Sequence, residues 1–100
     1  MKTQKCDVTK EEDVKSAIDA CVKAFGGLHV AINSAGVATV SPMLTSRGAI
    51  DLDLFKKTIE INVFGTMYVS KHAAIQMSKQ EKLNDRGERG VIVHVSSVAA

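Results

Sequence analysis

The stretch that most constrains the fold covers residues 28–36, with the sequence LHVAINSAG. Its first five residues are mostly apolar, and four small or polar residues follow them. Apolar runs of this length, bounded by small polar residues, are typical of strands buried in a parallel sheet. We therefore predict a buried strand over residues 28–32 that stops at Asn33, with Gly36 allowing a sharp turn or the close approach of a ligand. A turn that merely requires small residues is the alternative interpretation.

The residues before this strand predict a helix packed on a core. Thr9 is a candidate N-cap, Glu12 would complete a capping box with it, and Gly26 and Gly27 offer a left-handed end. The apolar positions between them recur at helical spacing, at Val14, Ala17, Ile18, Cys21, Val22 and Phe25. With a weak strand end predicted at residues 4–8, the first third of the chain indicates a parallel strand–helix–strand unit.

A second buried strand is predicted over residues 91–95, where the sequence VIVHV runs into Ser96 and Ser97. Ligands in open α/β sheets bind outside the carboxyl ends of the strands, so Asn33 and Ser97 are expected to face one crevice. The sequence has no Gly-x-Ser-x-Gly elbow, which favours a Ser97 hydroxyl that donates a hydrogen bond over a serine nucleophile. We predict His94, inside this strand, to be a hydrogen-bonded structural histidine.

A long loop and a long helix are predicted between the two strands. Residues 37–50 show no clear period and form either a functional lid or a surface insertion without a role. Residues 51–79 have helical character, capped at Asp51 or Asp53, with apolar residues on more than one face. Asn62 and Gly65, both poor helix formers, interrupt this helix. Asn62 is either a polar residue bonded to the backbone or a functional group.

Composition and charge exclude several classes of protein. A hydrophobic content of 45%, a charged content of 24% and one proline indicate a globular chain rather than a disordered one. The net charge of +2, without a basic stripe carrying aromatic residues, predicts no direct contact with nucleic acid. No apolar run is long enough to predict a membrane span. Cys6 and Cys21 are predicted to be reduced thiols, and no histidine spacing predicts a metal site.

Four motifs in order carry a family resemblance: Asp7-Val8, Asn33-Ser34-Ala35-Gly36, Asn62 within INVFG, and Ser97 within VSSVAA. Together they resemble the short-chain dehydrogenase/reductase family over almost the whole chain. Within that family the chain is most similar to the 3-hydroxyacyl-CoA and 17β-hydroxysteroid dehydrogenases. The resemblance implies an α/β fold, a partial Rossmann-type doubly wound parallel sheet in three αβα layers. Residues 1–100 would be the central fragment of a single NAD(P)-binding domain.

The resemblance implies a set of cofactor contacts, with NAD as the expected cofactor and NADP as the alternative. Asp7 would accept a hydrogen bond from the adenine amine, and Val8 would add a backbone contact beside it. Ser96 would contribute backbone near the nicotinamide. Ser34 stands where many family members have asparagine. The adenosine and ribose would be lined by Asn33, Ser34, Ala35 and Gly36.

Two catalytic residues follow from the same resemblance. Ser97 would orient and polarise the substrate carbonyl or hydroxyl, and the backbone of Asn62 would hold a water of the proton relay. Hydride would pass between the nicotinamide and a secondary alcohol or ketone, such as a 3-hydroxyacyl-CoA or a hydroxysteroid. The Gly-rich turn, the acidic residue that selects NAD and the Tyr-x-x-x-Lys pair of the family are absent, since Tyr68 is followed by His72 at the lysine position. We therefore expect a fragment that is inactive and poorly stable by itself.

The resemblance also implies partners and a location. The substrate would be a small molecule, and the protein would form a homo-oligomer, a dimer or a tetramer, through the helix at residues 51–79. Neither a nucleic acid nor a membrane partner is expected. A mitochondrial location follows from the subfamily, with the cytoplasm as the alternative. A non-catalytic relative kept as a binding or scaffold subunit is the second functional hypothesis, and an unrelated α/β nucleotide-binding module is the third.

Overall fold

The chain contains both helices and strands, and the computed structural model describes residues 1–98. The elements are α1 (Glu11–Phe25), β1 (Val30–Asn33), β2 (Leu44–Thr45), β3 (Gly48–Ala49), α2 (Leu52–Ile59), a π-helix (Glu60–Gly65), α3 (Thr66–Ser78) and β4 (Val91–His94). Strands β1 and β4 pair in parallel, which confirms the predicted α/β class. The last two residues of the VSSVAA motif lie outside the described residues.

The predicted parallel pairing of the two strands is confirmed, with Asn33 of β1 opposite His94 of β4. The predicted burial of the second strand is wrong, because Ile92 of β4 is half-buried and its other residues are exposed. Strand β1 begins at Val30, two residues later than predicted, although Leu28 is buried. The Leu28 N–H donates to Oε1 of Gln80 and the Leu28 carbonyl accepts from Nε2 of Gln80, both at 2.7 Å. A side-chain amide from the loop after α3 thus satisfies backbone groups that a neighbouring strand would otherwise satisfy.

The predicted apolar face of α1 packs on the core. Val14 is 2% exposed, whereas Phe25 at the end of the same face is 63% exposed. Gly26 adopts φ 83°, so the predicted left-handed end of the helix is confirmed. The core is made of Leu28, Ala31, Ala73 and Met77, with Ile18, Cys21, Val22 and Ile92 packed against it.

The N-terminal side of α1 differs from the prediction. The N-cap is Lys10, without a side-chain cap, so the capping box of Thr9 with Glu12 is wrong. The Thr9 hydroxyl and N–H instead both donate to Oδ1 of Asp7, at 2.7 Å and 3.0 Å, and the helix begins one residue later than the box requires. The weak strand end predicted at residues 4–8 is also wrong, since this segment pairs with no strand in the described part of the chain.

The long helix starts where the sequence predicts and is broken where the sequence predicts. The Asp51 side chain caps α2 by accepting from the Asp53 N–H at 2.9 Å. The π-helix contains both predicted interruptions, Asn62 and Gly65. Single π turns inside α-helices occur frequently at functional sites. The preceding loop is more ordered than predicted, because β2 and β3 form a short antiparallel hairpin.

Large apolar surfaces remain exposed. The sheet face opposite α3 carries Val30, Ile32, Val91 and Val93, which are 41–62% exposed. A flank of the long helix is exposed at Leu52, Phe55, Val63, Phe64 and Met67. The radius of gyration is 17.0 Å, against about 13 Å for a compact domain of this length. Residues 1–98 thus form two of the three implied layers. Within them, none of the helices is both long and apolar enough to cross a membrane.

Candidate cofactor and active site

The carboxyl ends of β1 and β4 open onto one cleft of about 750 Å³. The two strand ends lie side by side, since the Val95 N–H donates to the Asn33 carbonyl at 2.9 Å. This is the shared crevice that the sequence predicts. Seven of the nine predicted site residues line it: Asn33, Ser34, Ala35, Gly36, Asn62, Ser96 and Ser97.

Asn62 holds the loop after β1 against the π-helix. Its Oδ1 accepts from the Val37 N–H at 2.9 Å, and its Nδ2 donates to the Val37 carbonyl at 2.8 Å. Its own carbonyl accepts from the Thr66 hydroxyl at 2.8 Å. The side chain of Asn62 therefore fixes one wall of the cleft. The proton-relay role predicted for its backbone remains a prediction.

Gly36 lines the cleft with main-chain atoms and no side chain. It lies outside the left-handed region, so its backbone conformation does not itself require glycine, and the close approach of a ligand stays a prediction. A Cβ built on Gly36 would lie 3.4 Å from Oδ1 of Asn62, an ordinary contact distance. The absence of a side chain leaves space into which a ligand could come close to the main chain.

Asn33 links the two strand ends through its side chain. It is 8% exposed, and its Nδ2 lies 3.1 Å from Nδ1 of His94 and 3.4 Å from Oγ of Ser70. The predicted hydrogen bond to His94 is therefore present. His94 and Thr66 also line the cleft, although the sequence predicted a site role for neither. Thr66 lies four residues after Asn62, and this helical spacing could have indicated that the two share a face.

Asp7 and Val8 lie outside the lining of this cleft. Asp7 lines a second pocket of about 400 Å³ with Thr9, Lys56 and Lys57. The hydroxyl and the N–H of Thr9 both donate to Oδ1 of Asp7, and these bonds lower the pKa of the carboxyl group. Among the described residues, no hydrogen bond falls on Oδ2.

The backbone of the Asp7-Val8 segment is placed by the π-helix. A Cβ added to Gly65 would lie 2.7 Å from Cγ2 of Val8, so only glycine fits there without displacement. The π-helix thus lies against Val8 at Gly65 and, through Asn62, bonds Val37, the residue that follows the second predicted cofactor segment.

The cysteine and histidine residues form no further site in the described chain. Cys6 and Cys21 are free thiols, as predicted. Burial, together with the carboxylates of Asp13 and Asp7, raises the pKa of Cys6. Over residues 1–98 there is no group of three histidine, cysteine or acidic side chains that could hold a metal ion.

Comparison with known proteins identifies the family. The family model described as short chain dehydrogenase matches residues 1–100. The 3-hydroxyacyl-CoA dehydrogenase type-2 of Bos taurus is 38% identical over 96 residues, covering 94% of this chain and 36% of that protein. The (+)-borneol dehydrogenase 2 of Salvia officinalis is 39% identical over 95 residues, covering 95% of this chain and 30% of that protein.

Solved structures agree with the sequence matches. A structure of ElxO with NADP bound is 35% identical, with a TM-score of 0.77, covering 95% of this chain and 34% of that chain. A short-chain type dehydrogenase/reductase from Mycobacterium ulcerans is 32% identical, with a TM-score of 0.79, covering 96% of this chain and 31% of that chain. The chain spans about a third of the length of these relatives. The chain belongs to the short-chain dehydrogenase/reductase family.

Proposed function

We propose that this chain supplies the adenosine-binding and substrate-orienting part of an NAD(P)-dependent oxidoreductase. The substrate would be a secondary alcohol or ketone, and the similarity to 3-hydroxyacyl-CoA dehydrogenase type-2 favours a 3-hydroxyacyl-CoA, with a hydroxysteroid as the alternative. The observation that carries the proposal is the single cleft shared by the segment from Asn33 to Gly36 and by Ser96 and Ser97. When bound, the nicotinamide would supply hydride transfer.

The residues present fit such a cofactor. Oδ2 of Asp7 has no partner among the described residues and would accept the adenine amine, while Thr9 keeps the carboxylate ionised through Oδ1. Gly36 would let the ribose approach the main chain, and Val8 would add a backbone contact beside Asp7. NAD is the first choice, and the relative with bound NADP keeps NADP as the second.

Two residues would serve the reacting end of the site. The Ser97 hydroxyl would donate a hydrogen bond to the substrate oxygen and hold it toward the nicotinamide. The Asn62 carbonyl would hold a water through its second lone pair, since the first accepts from the Thr66 hydroxyl at 2.8 Å. Its position in the π-helix supports this role, because π turns occur frequently at functional sites. The family resemblance assigns proton transfer to a Tyr-x-x-x-Lys pair, which does not occur in the 100 residues.

We further propose assembly as a dimer or tetramer through the long helix, in mitochondria or, as the alternative, in the cytoplasm. The exposed apolar flank at Leu52, Phe55, Val63, Phe64 and Met67 supports assembly. The mitochondrial location is supported only by the subfamily resemblance.

Titration of the 15N-labelled chain with NADH tests the proposed cofactor site. We expect the amide resonances of Gly36 and Ser96 to shift together. Gly36→Val should weaken binding because its side chain fills the cleft, whereas the matched Ala24→Val on the exposed side of α1 should not. NADH that shifts neither amide would contradict the proposal.

We also expect the 100 residues alone to show no turnover with NAD. The exposed sheet face and the missing Tyr-x-x-x-Lys pair are the reasons. Absorbance at the NADH band with a 3-hydroxyacyl-CoA measures the activity. Turnover by the 100 residues would refute this expectation.

A further inference from the structure

A chain of hydrogen bonds runs along one face of the long helix to the two strand ends. The Thr66 hydroxyl donates to the Asn62 carbonyl at 2.8 Å, and the Ser70 hydroxyl donates to the Thr66 carbonyl at 2.7 Å. Nδ2 of Asn33 then lies 3.4 Å from Oγ of Ser70 and 3.1 Å from Nδ1 of His94. The π-helix, β1 and β4 are therefore joined by side chains as well as by backbone.

The number of hydrogens that each group carries determines which atom donates in each of these bonds. A serine hydroxyl has one hydrogen, and that of Ser70 is used on the Thr66 carbonyl, so Ser70 can only accept from Asn33. Asn33 must therefore turn its NH₂ group, not its oxygen, toward Ser70. The second hydrogen of the same nitrogen is available for His94. Nδ1 of His94 must then be an acceptor, so a neutral ring carries its hydrogen on Nε2.

His94 is the one titratable side chain among the described residues that line the cleft. We propose that Ser70 and Asn33 hold His94 as the Nε2–H tautomer, and that this Nε2–H donates to an oxygen of the nucleotide bound in the cleft. The second half of this proposal depends on the proposed function, because it takes the cleft to be a nucleotide site. The tautomer depends only on the hydrogen-bond network.

The tautomer is measured by long-range 1H–15N correlation of the 15N-histidine-labelled chain. The spectrum is recorded at about pH 8, above the ordinary titration range of imidazole. We expect the His94 hydrogen on Nε2. In Ser70→Ala, Asn33 is free to turn its oxygen toward the ring, so a population with the hydrogen on Nδ1 should appear. Ser78→Ala is the matched control, because the Ser78 hydroxyl also donates to a carbonyl of α3 but contacts neither Asn33 nor His94.

Asn33→Asp is a stronger perturbation, since a carboxylate can only accept and should draw the hydrogen to Nδ1. If this buried substitution unfolds the chain, Ser70→Ala decides alone, because it removes only a half-buried hydroxyl. A hydrogen on Nδ1 in the unsubstituted chain would overturn the proposal. So would an unchanged tautomer in Ser70→Ala.

Titration with AMP, ADP-ribose and NADH tests the contact to the nucleotide. We expect NADH to shift the Nε2 resonance of His94 and to leave that of the exposed His29 in place. His94→Asn keeps an acceptor near Nδ1 but has no donor near Nε2, so it should weaken NADH binding about fivefold, the effect of one hydrogen bond. His94→Gln keeps a donor near Nε2 and should bind within about twofold of the unsubstituted chain.

The outcomes separate the two proposals. A shift with AMP would place the contact on the adenosine side, and a shift only with ADP-ribose and NADH would place it on the diphosphate or the second ribose. If NADH shifts the Gly36 amide but not His94, and His94→Asn binds normally, the role of His94 is refuted while the cofactor site stands. If NADH shifts nothing, both are refuted.

Discussion

The two hydrogen bonds between the Asn62 side chain and the backbone of Val37 give the sharpest prediction. They measure 2.9 Å and 2.8 Å, and they hold Val37, in the loop after β1, against the π-helix. Asn62→Ala removes both. Because Asn62 and Val37 are exposed, water can replace the lost partners, and each bond should count for about 1 kcal/mol at most.

The expected effect is a local one. A loss of about 1–2 kcal/mol should raise the population of the open loop roughly 5–30-fold, and the Val37 amide should exchange its hydrogen faster by that factor. Amides of β1 and β4 report the unfolding of the sheet and serve as the internal reference. Asn62→Asp should give a smaller acceleration, since its carboxylate still accepts from the Val37 N–H but cannot donate to the Val37 carbonyl.

Asn84→Ala is the matched control, because Asn84 also bonds backbone groups through its side chain but lies in the loop after α3. It should leave the exchange of Val37 unchanged relative to the sheet amides. Unchanged protection of Val37 in Asn62→Ala would refute the conclusion that this side chain fixes the wall of the cleft.

Two further substitutions test the contacts around the cleft and α1. Gly65→Ala places a Cβ 2.7 Å from Cγ2 of Val8, so it should destabilise the chain by about 1–3 kcal/mol and shift the Asp7 amide resonance. Val8→Ala in the same chain should relieve both effects in part, since the Val8 Cβ, at 3.0 Å, stays in place. An unshifted Asp7 resonance would show that the segment is not held by this contact. Glu11 accepts from Lys71 at 2.6 Å and from His72 at 2.9 Å, and these bonds lower the pKa of its carboxyl group. A lowered pKa in the folded state stabilises the fold above the ordinary pKa of glutamate, and this contribution is lost as the pH falls through the folded-state value. The difference in urea midpoint between the unsubstituted chain and Glu11→Gln should therefore be present near neutral pH and shrink below about pH 4. A difference that is constant with pH would contradict this assignment.

Much of the fold could be predicted because its signals are local. The periodic apolar face of α1, the left-handed Gly26 and the Asp51 cap each depend on residues within a few positions of one another. The same is true of the break at Asn62 and Gly65, where two poor helix formers fall close together. Two apolar runs were sufficient to predict a parallel pair, because near-continuous apolar runs are typical of the strands of parallel sheets.

The wrong predictions concern residues whose hydrogen-bond partner is distant in the sequence or differs from the one that the local pattern suggests. Thr9 fits the pattern of an N-cap, but its hydroxyl and N–H both donate to the Asp7 carboxylate two residues earlier, and the N-cap is Lys10. Leu28 fits a strand, but the Gln80 side chain, 52 residues away, bonds both of its backbone groups. The hairpin of β2 and β3 had no signal, since two-residue strands show no periodicity.

The sequence by itself determined the family, the two strands and the residue types at their ends, because a short run of residues carries each motif. The tertiary structure alone decided what those residues contact. Asn62 bonds Val37 across 25 positions, and Asn33 bonds His94 across 61. Such bonds form only when the crossover between β1 and β4 brings distant segments together, and no local preference of the chain encodes their direction. The physical reason is that hydrogen-bond partners are chosen by distance in space, whereas sequence patterns record only the preferences of neighbouring residues.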